Sequence, residues 1–168
     1  MRLGIDFGTT RTRVAAVLDG NYPLVAFHGE DDRGGDWYPS LIAAEGDKLA
    51  FGWAAQRVEF DPGWATLRSF KRKLGDAWTE DAWTLGGLTL PALEWLTRFF
   101  AALRQDLFTH SNLDLAPDER LEALVGIPAN ANSNQRFFTL EAMRLAGFHV
   151  IGMLNEPSAA GIEYAHRY

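Results

Sequence analysis

At 168 residues, 47% of them hydrophobic and 23% charged, the chain is globular and long enough for one real core or for one lobe of something larger. A formal net charge of −6 argues against a binder of nucleic-acid phosphate backbones. The absence of cysteine excludes disulfides, cysteine zinc sites and thiol nucleophiles.

The chain opens on Leu3 to Arg13, read L-G-I-D-F-G-T-T-R-T-R. A short apolar run stops at Asp6, which does not suit a signal peptide, and no later run is long enough to span a bilayer. A soluble, cytoplasmic protein is the expectation, with neither nucleic acid nor membrane as partner. Strand, Gly8-Thr9-Thr10 turn and a second β-prone stretch to Leu18 make a hairpin. A third strand is expected over Pro23 to His28, then a polar loop over 30–36. Tyr38 to Ala43 and Lys48 to Gly52 read as strands about a Glu45-Gly46-Asp47 turn, with a short helix from Gly52 to Val58. Asp61-Pro62-Gly63 breaks the pattern. Trp64 to Leu74 reads as a helix carrying Arg68, Lys71, Arg72 and Lys73, with Gly75 as its C-cap. Leu90 to Phe108 is the strongest helix, with Leu93, Leu96, Phe100, Leu103 and Leu107 at spacings of three and four and Pro91 in the first turn. Leu121 to Ile127 is a buried strand, Arg136 to Ala146 a helix closed by Gly147, and Phe148 to Leu154 a last strand. Ser158 to Arg167 is a final helix with Pro157 at its first position. The sequence holds no internal repeat and no low-complexity tract.

The opening turn concentrates chemistry. Gly8 lets backbone amides approach an anion closely, and Thr9 and Thr10 add hydroxyl donors. Asp6, at a strand end, suits a hydrated Mg²⁺, which uses one or two carboxylates and keeps several waters. The same composition also suits an ordinary turn in which Asp6 caps its own backbone, and this stretch alone leaves the two readings even. Lys71 is either a solvated surface lysine or a cation directed by the buried face that Leu67, Phe70 and Leu74 would form. Pro157 biases Glu156 toward extended backbone, which places a second carboxylate at a strand end. Ligands of open α/β sheets gather at the carboxyl ends of strands, so Asp6, the Gly-Thr-Thr turn and Glu156 share one expected crevice.

These segments together resemble a known family. Gly4-Ile5-Asp6-Phe7-Gly8-Thr9-Thr10 is similar to the first phosphate loop of the actin, sugar kinase and seventy-kilodalton heat-shock protein superfamily. Tyr38-Pro39-Ser40-Leu41-Ile42 and Thr66 to Gly75 resemble the heat-shock branch. So do Ile127-Pro128-Ala129, Asn132 to Arg136, and Asn155-Glu156-Pro157-Ser158-Ala159-Ala160, all in the same order and spacing. The resemblance implies an α/β fold, a ribonuclease H-like lobe of an actin-like ATPase. It would hold a mixed sheet of about five strands with flanking helices, plus a smaller inserted α+β subdomain. Subdomain IA would comprise 1–37 and 110–168, and subdomain IB 38–109. The second lobe, with its own phosphate loop and adenosine pocket, and a peptide-binding domain have no counterpart here, which reads as a fragment.

The resemblance also implies roles. Gly8, Thr9 and Thr10 would hold the phosphates of ATP or ADP, and Arg11, where the family usually has Asn, would add a cation beside them. Asp6 and Glu156 would hold Mg²⁺ through waters. Lys71 would reach the γ-phosphate, and Glu156 would orient the attacking water, so that Asp6, Lys71 and Glu156 form the catalytic set. Pro128 and Arg136 match a relay toward the client-binding domain. The implied partners, acting through the full-length parent, are unfolded polypeptides, a J-domain co-chaperone and a nucleotide exchange factor. A sugar-kinase-like phosphotransferase lobe and a non-enzymatic nucleotide-binding or assembly module are the alternatives.

Overall fold

Alternation along the first strand decides the layering. In Arg2–Phe7 (β1), Leu3, Ile5 and Phe7 are buried while Arg2 and Asp6 are exposed, the period of two of a strand with one covered face. The computed structural model describes residues 1–29, 34–77, 80–128 and 130–155. Beyond the Gly8-Thr9-Thr10 turn, Arg11–Ala16 (β2) returns antiparallel, with Phe7 opposite Thr12. Pro23 to Val25 lies against the far end of β2, where Ala16 N donates to Pro23 O at 3.0 Å. Only Phe27–His28 (β3) forms a strand there, paired with Gly34–Gly35 (β4). The strand expected from Pro23 onward is thus shorter, because Pro23 has no N–H to extend a ladder.

Tyr38–Pro39 (β5) joins the other end of β2, and Leu41–Glu45 (β6) pairs with Lys48–Phe51 (β7) before the helix Gly52–Val58 (α1). The single helix expected from Trp64 to Leu74 is corrected to two elements. Ala65–Arg68 (β8) pairs antiparallel with β6, and after Ser69, at φ 55°, Phe70–Lys73 (α2) makes one turn. The free edge of β6 needs backbone partners, and that demand outweighs the local helical spacing. Phe70 and Leu74 are nevertheless both fully buried.

Ala82–Leu85 (β9) and Leu88–Pro91 (β10) form a hairpin about Gly86-Gly87, whose φ angles of 57° and 90° favour glycine. This hairpin is not among the expected elements, although a two-residue Gly-Gly loop signals it. Ala92–Thr109 (α3) follows, with Pro91 just before it. Glu122–Ile127 (β11), Ser133–Leu145 (α4) and His149–Asn155 (β12) complete the described chain. The helix expected from Ser158 lies outside the described residues.

The main sheet is mixed and five-stranded, in the order β12-β11-β1-β2-β5, and β7-β6-β8 form a second sheet of three. The buried side chains of β1, β2 and β11 form one cluster with Trp95, Leu96, Phe99 and Phe100 of α3 and Phe138, Ala142 and Met143 of α4. Strands β1, β11 and β12 run parallel, so their carboxyl ends coincide: Asp6 sits beside Gly126, and Ile127 beside Asn155. Among the described residues no helix is long and apolar enough to cross a membrane.

Tyr38 ties β5 to this core. Its ring packs on Phe27 and Phe99, with centroids 5.3 and 5.8 Å away, and its hydroxyl donates to Asp106 Oδ2 at 2.9 Å. Burial, reinforced by the neighbouring Asp106 charge and hydrogen bond, raises the Tyr38 pKa well above the ordinary value. Folding therefore favours neutral Tyr38. Its contribution is complete below pH of about 10 and is lost as pH rises through the folded-state pKa. Tyr38→Phe is expected to lower stability at neutral pH by about 1 kcal/mol, measured by denaturant unfolding. In the wild-type chain the Tyr38 tyrosinate absorbance is expected to appear together with alkaline unfolding. Its appearance in the folded chain near the ordinary tyrosine pKa would contradict this.

Candidate functional site

The site starts from the turn between β1 and β2. A Cβ on Gly8 would lie 2.2 Å from the Arg11 carbonyl oxygen, so the closed turn admits no side chain there. Ser40 fastens the turn from outside: its N–H donates to Thr10 O at 3.0 Å and its hydroxyl to Gly8 O at 2.9 Å. The Ser40 proton being used, Thr12 donates to Ser40 Oγ at 3.0 Å, and both hydroxyls are buried. Ser40 thus holds the carbonyls on one side of the loop and leaves the turn's shape fixed.

The second wall comes from α2. Phe70 packs on Phe7 at 5.8 Å between ring centroids, which brings the next residue, Lys71, to the root of the turn. The Lys71 ammonium donates to Phe7 O and lies 5.3 Å from the Phe7 ring centroid. The third wall is the first turn of α4. Asn132 is the N-cap, its Oδ1 accepting from Gln135 N at 3.0 Å while Gln135 Oε1 accepts from Asn132 N at 3.3 Å. Asn132 Nδ2 also donates to Gly75 O at 2.7 Å, and Asn134 Nδ2 to Ala77 O at 2.9 Å.

Between these walls lies an open polar cleft of about 660 Å³, lined by Asp6, Gly8 and Thr9 from the turn, Lys71, Arg72, Gly75 and Asp76 from α2 and its exit, and Pro128, Asn130, Asn132 and Gln135 from the approach to α4. Of the residues expected at the site, Asp6, Gly8, Thr9, Lys71 and Pro128 are brought together here. Thr10 does not line the cleft; it is exposed and its carbonyl holds Ser40. Arg11 also lies off the cleft, its guanidinium 4.4 Å over the Trp37 ring. Arg136 follows Gln135 without reaching the lining, and its Nε donates to Ala131 O at 3.1 Å. Glu156 lies outside the described residues. Asn132, Asn134 and Gln135 acquire structural roles that their match to the family motif does not specify. The Asn-x-x-Gln capping pattern before a helix is the signal that finds two of them. Ser40 carries no such signal, because its partners are distant in sequence.

Chemically, the cleft joins turn amides, a threonine hydroxyl and cations at the carboxyl edge of the sheet, a setting for phosphate oxygens. Its volume falls in the range of small-molecule sites, about 300–1,000 Å³. No group of three histidine, cysteine or acidic side chains that could cage a metal occurs among the described residues. Two carboxylates, Asp6 and Asp76, line the cleft, and so small a number fits a cation that takes most of its ligands from water and phosphate, as Mg²⁺ does.

A family model for Hsp70 protein matches residues 110–166. The fold is accordingly of the actin-like ATPase type, an α/β lobe built on a five-stranded mixed sheet. The chaperone protein DnaK of Elusimicrobium minutum is 30% identical over 164 residues, covering 96% of this chain and 25% of that protein. A chaperone protein HscA homolog of Chromobacterium violaceum is 33% identical, covering 98% of this chain and 28% of that protein. DnaK of Deinococcus radiodurans is 30% identical, with 96% of this chain and 27% of that protein covered. The chain belongs to the Hsp70 family. It spans about a quarter of the length of these curated relatives.

The turn makes a direct prediction. Gly8→Ala is expected to destabilise the chain by about 1–3 kcal/mol, since the added methyl meets backbone and not a movable side chain. Unfolding curves measure the loss, and amide chemical shifts of Thr9 and Thr10 should move with it. A variant with unchanged stability and shifts would contradict the closed turn.

Proposed function

We propose that the cleft binds the phosphates of ATP and ADP, and that this chain is the phosphate-binding lobe of an Hsp70-type chaperone ATPase. In the whole protein, hydrolysis would be coupled to binding and release of unfolded polypeptide. The observation that carries this reading is the meeting of Asp6, the Gly8-Thr9 turn and Lys71 on one cleft, from segments more than sixty residues apart. The chaperone names of the relatives support the same class, and none of them favours a sugar kinase.

In this reading Gly8 and Thr9 bind phosphate oxygens through amides and a hydroxyl, with Thr10 and Arg11 at the outer rim of the turn. Lys71 sets a cation where negative charge accumulates in phosphoryl transfer, acting by electrostatic positioning. Asp6, and Glu156 as the family resemblance implies, would hold Mg²⁺ through waters; the bound metal would neutralise phosphate charge. Glu156 would also orient the attacking water. Pro128 lines the cleft at the start of the segment that leads through Ala131 to Arg136, which suits a relay outward. Residues 1–37 with 110–168 would form subdomain IA and residues 38–109 subdomain IB. A J-domain co-chaperone, a nucleotide exchange factor and client polypeptides would act through the remainder of the parent protein, in the cytoplasm.

Few of the contacts to a nucleotide clamped between two lobes lie in this one. The 168-residue chain by itself is expected to bind Mg·ATP with a Kd of about 1 mM or weaker, measured by calorimetry. A tight isotherm would contradict this. In an intact parent carrying both lobes, Lys71→Ala is expected to abolish ATP turnover while sparing nucleotide binding. Turnover near the wild-type rate would remove Lys71 from its role.

A further inference from the structure

Lys71 stands on a helix that cannot hold itself in place. Helix α2 has four residues, far below the length at which a helix is stable in water. Its entry is a left-handed serine, Ser69 at φ 55°, and Ser69 supplies no side-chain cap. Phe70 and Leu74 anchor the inner side of the turn in the core, which fixes its depth. Its exit, Gly75 to Ala77, is held by two side-chain amides. Asn132 Nδ2 donates to Gly75 O at 2.7 Å and Asn134 Nδ2 to Ala77 O at 2.9 Å, each across 57 residues of sequence.

We propose that Asn132 and Asn134 are positioning residues for Lys71: an amide clamp from the first turn of α4 that sets the direction in which the α2 lysine enters the cleft. Two features separate this from generic stabilisation. The clamp grips backbone carbonyls at the exit of α2, and it does so from the wall of the cleft that faces Lys71. The same Asn132 also caps α4 through its oxygen, leaving the amide nitrogen for the clamp. Gln135, which completes the cap, lines the cleft beside it. One helix start therefore shapes one wall of the cleft and fixes the aim of the cation on another. The inference rests on the nucleotide reading only for what Lys71 acts upon; the placement of Lys71 is independent of it.

The division of labour within the asparagines makes the test clean. Asn132→Asp keeps the capping oxygen and loses the clamp donor. Asn134→Asp likewise keeps the side-chain shape, and a carboxylate in the first turn favours the helix. In the whole chain, the rate at which Lys71 is acylated by acetic anhydride, read by peptide mass spectrometry at fixed pH, is compared with that of the exposed Lys73 two residues on. The double variant is expected to raise the Lys71 rate relative to Lys73 by about tenfold, the order that two net hydrogen bonds contribute to an opening equilibrium. Its melting temperature should stay near that of the wild type. Asn134→Ala, which carries no added charge, should give a smaller rise in the same direction. An unchanged Lys71 rate, or a rise shared by Lys71 and Lys73, would overturn the proposal, the second result meaning that the region loosens as a whole. Saturating Mg·ATP on an intact parent carrying both lobes, where the nucleotide clamp is complete, serves as a separate arm. If it fails to slow Lys71 acylation while the variants still accelerate it, the clamp stands and the nucleotide reading falls.

Discussion

The contact between Phe7 and Phe70 is the constraint on which the cleft depends. Phe7 lies between Asp6 and Gly8, and Phe70 immediately precedes Lys71, so each buried ring carries site groups as its chain neighbours. Both rings are fully buried, and both pack on Phe99 of α3, at 5.9 and 5.1 Å between centroids. Phe100 closes the cluster against Phe7 at 5.1 Å. Edge-to-face and tilted aromatic packing of this kind adds to the free energy of simple burial and is directional, so it fixes orientation as well as depth. Once the two phenylalanines are seated, strand alternation turns Asp6 to the open face. The one-turn helix in turn carries Lys71 to the Phe7 carbonyl.

Around that contact the structure uses polar groups sparingly and with clear division. Ser40 and Thr12 form a small buried hydroxyl pair that satisfies itself and a turn carbonyl, which is how a buried polar group avoids a desolvation penalty. The amides of Asn132 and Asn134 bond carbonyls at the exit of α2 closer to solvent, the first pair exposed and the second half-buried. These groups leave Asp6, Gly8 and Thr9 lining the cleft. The opening turn, the second wall and the third wall come from three distant parts of the chain, and the parallel strands β1 and β11 bring the first and last of them to one edge.

Much of this was legible in the sequence, and for identifiable reasons. The β1–β2 hairpin follows from alternation and a glycine turn, and α3 follows from apolar residues recurring at helical spacing, both local signals. The sharing of one cleft by Asp6, Gly8, Thr9 and Lys71 rested on order and spacing of motifs. The division of Trp64 to Leu74 into β8 and α2 was not legible, because the edge of β6 that recruits Ala65–Arg68 lies more than twenty residues earlier. The Gly86-Gly87 hairpin had a local signal in its glycine pair. The places of Thr10 and Arg11 off the cleft depend on Ser40 and Trp37, partners that no local pattern ties to the turn. The asparagine clamp is likewise a tertiary fact: composition shows a capping sequence, while the carbonyls it grips are set by the path of the chain after α2.

The central claim is that Asp6, the Gly8-Thr9 turn and Lys71 surround one bound triphosphate and its metal. Paramagnetic broadening by Mn²⁺ added with ATP, in place of Mg²⁺, tests it most directly, since broadening depends steeply on distance from the ion. The account predicts that the amide signals of Asp6 to Thr9 and the Lys71 ammonium signal broaden first and together. Broadening centred on acidic surface elsewhere, with these signals left sharp, would contradict it.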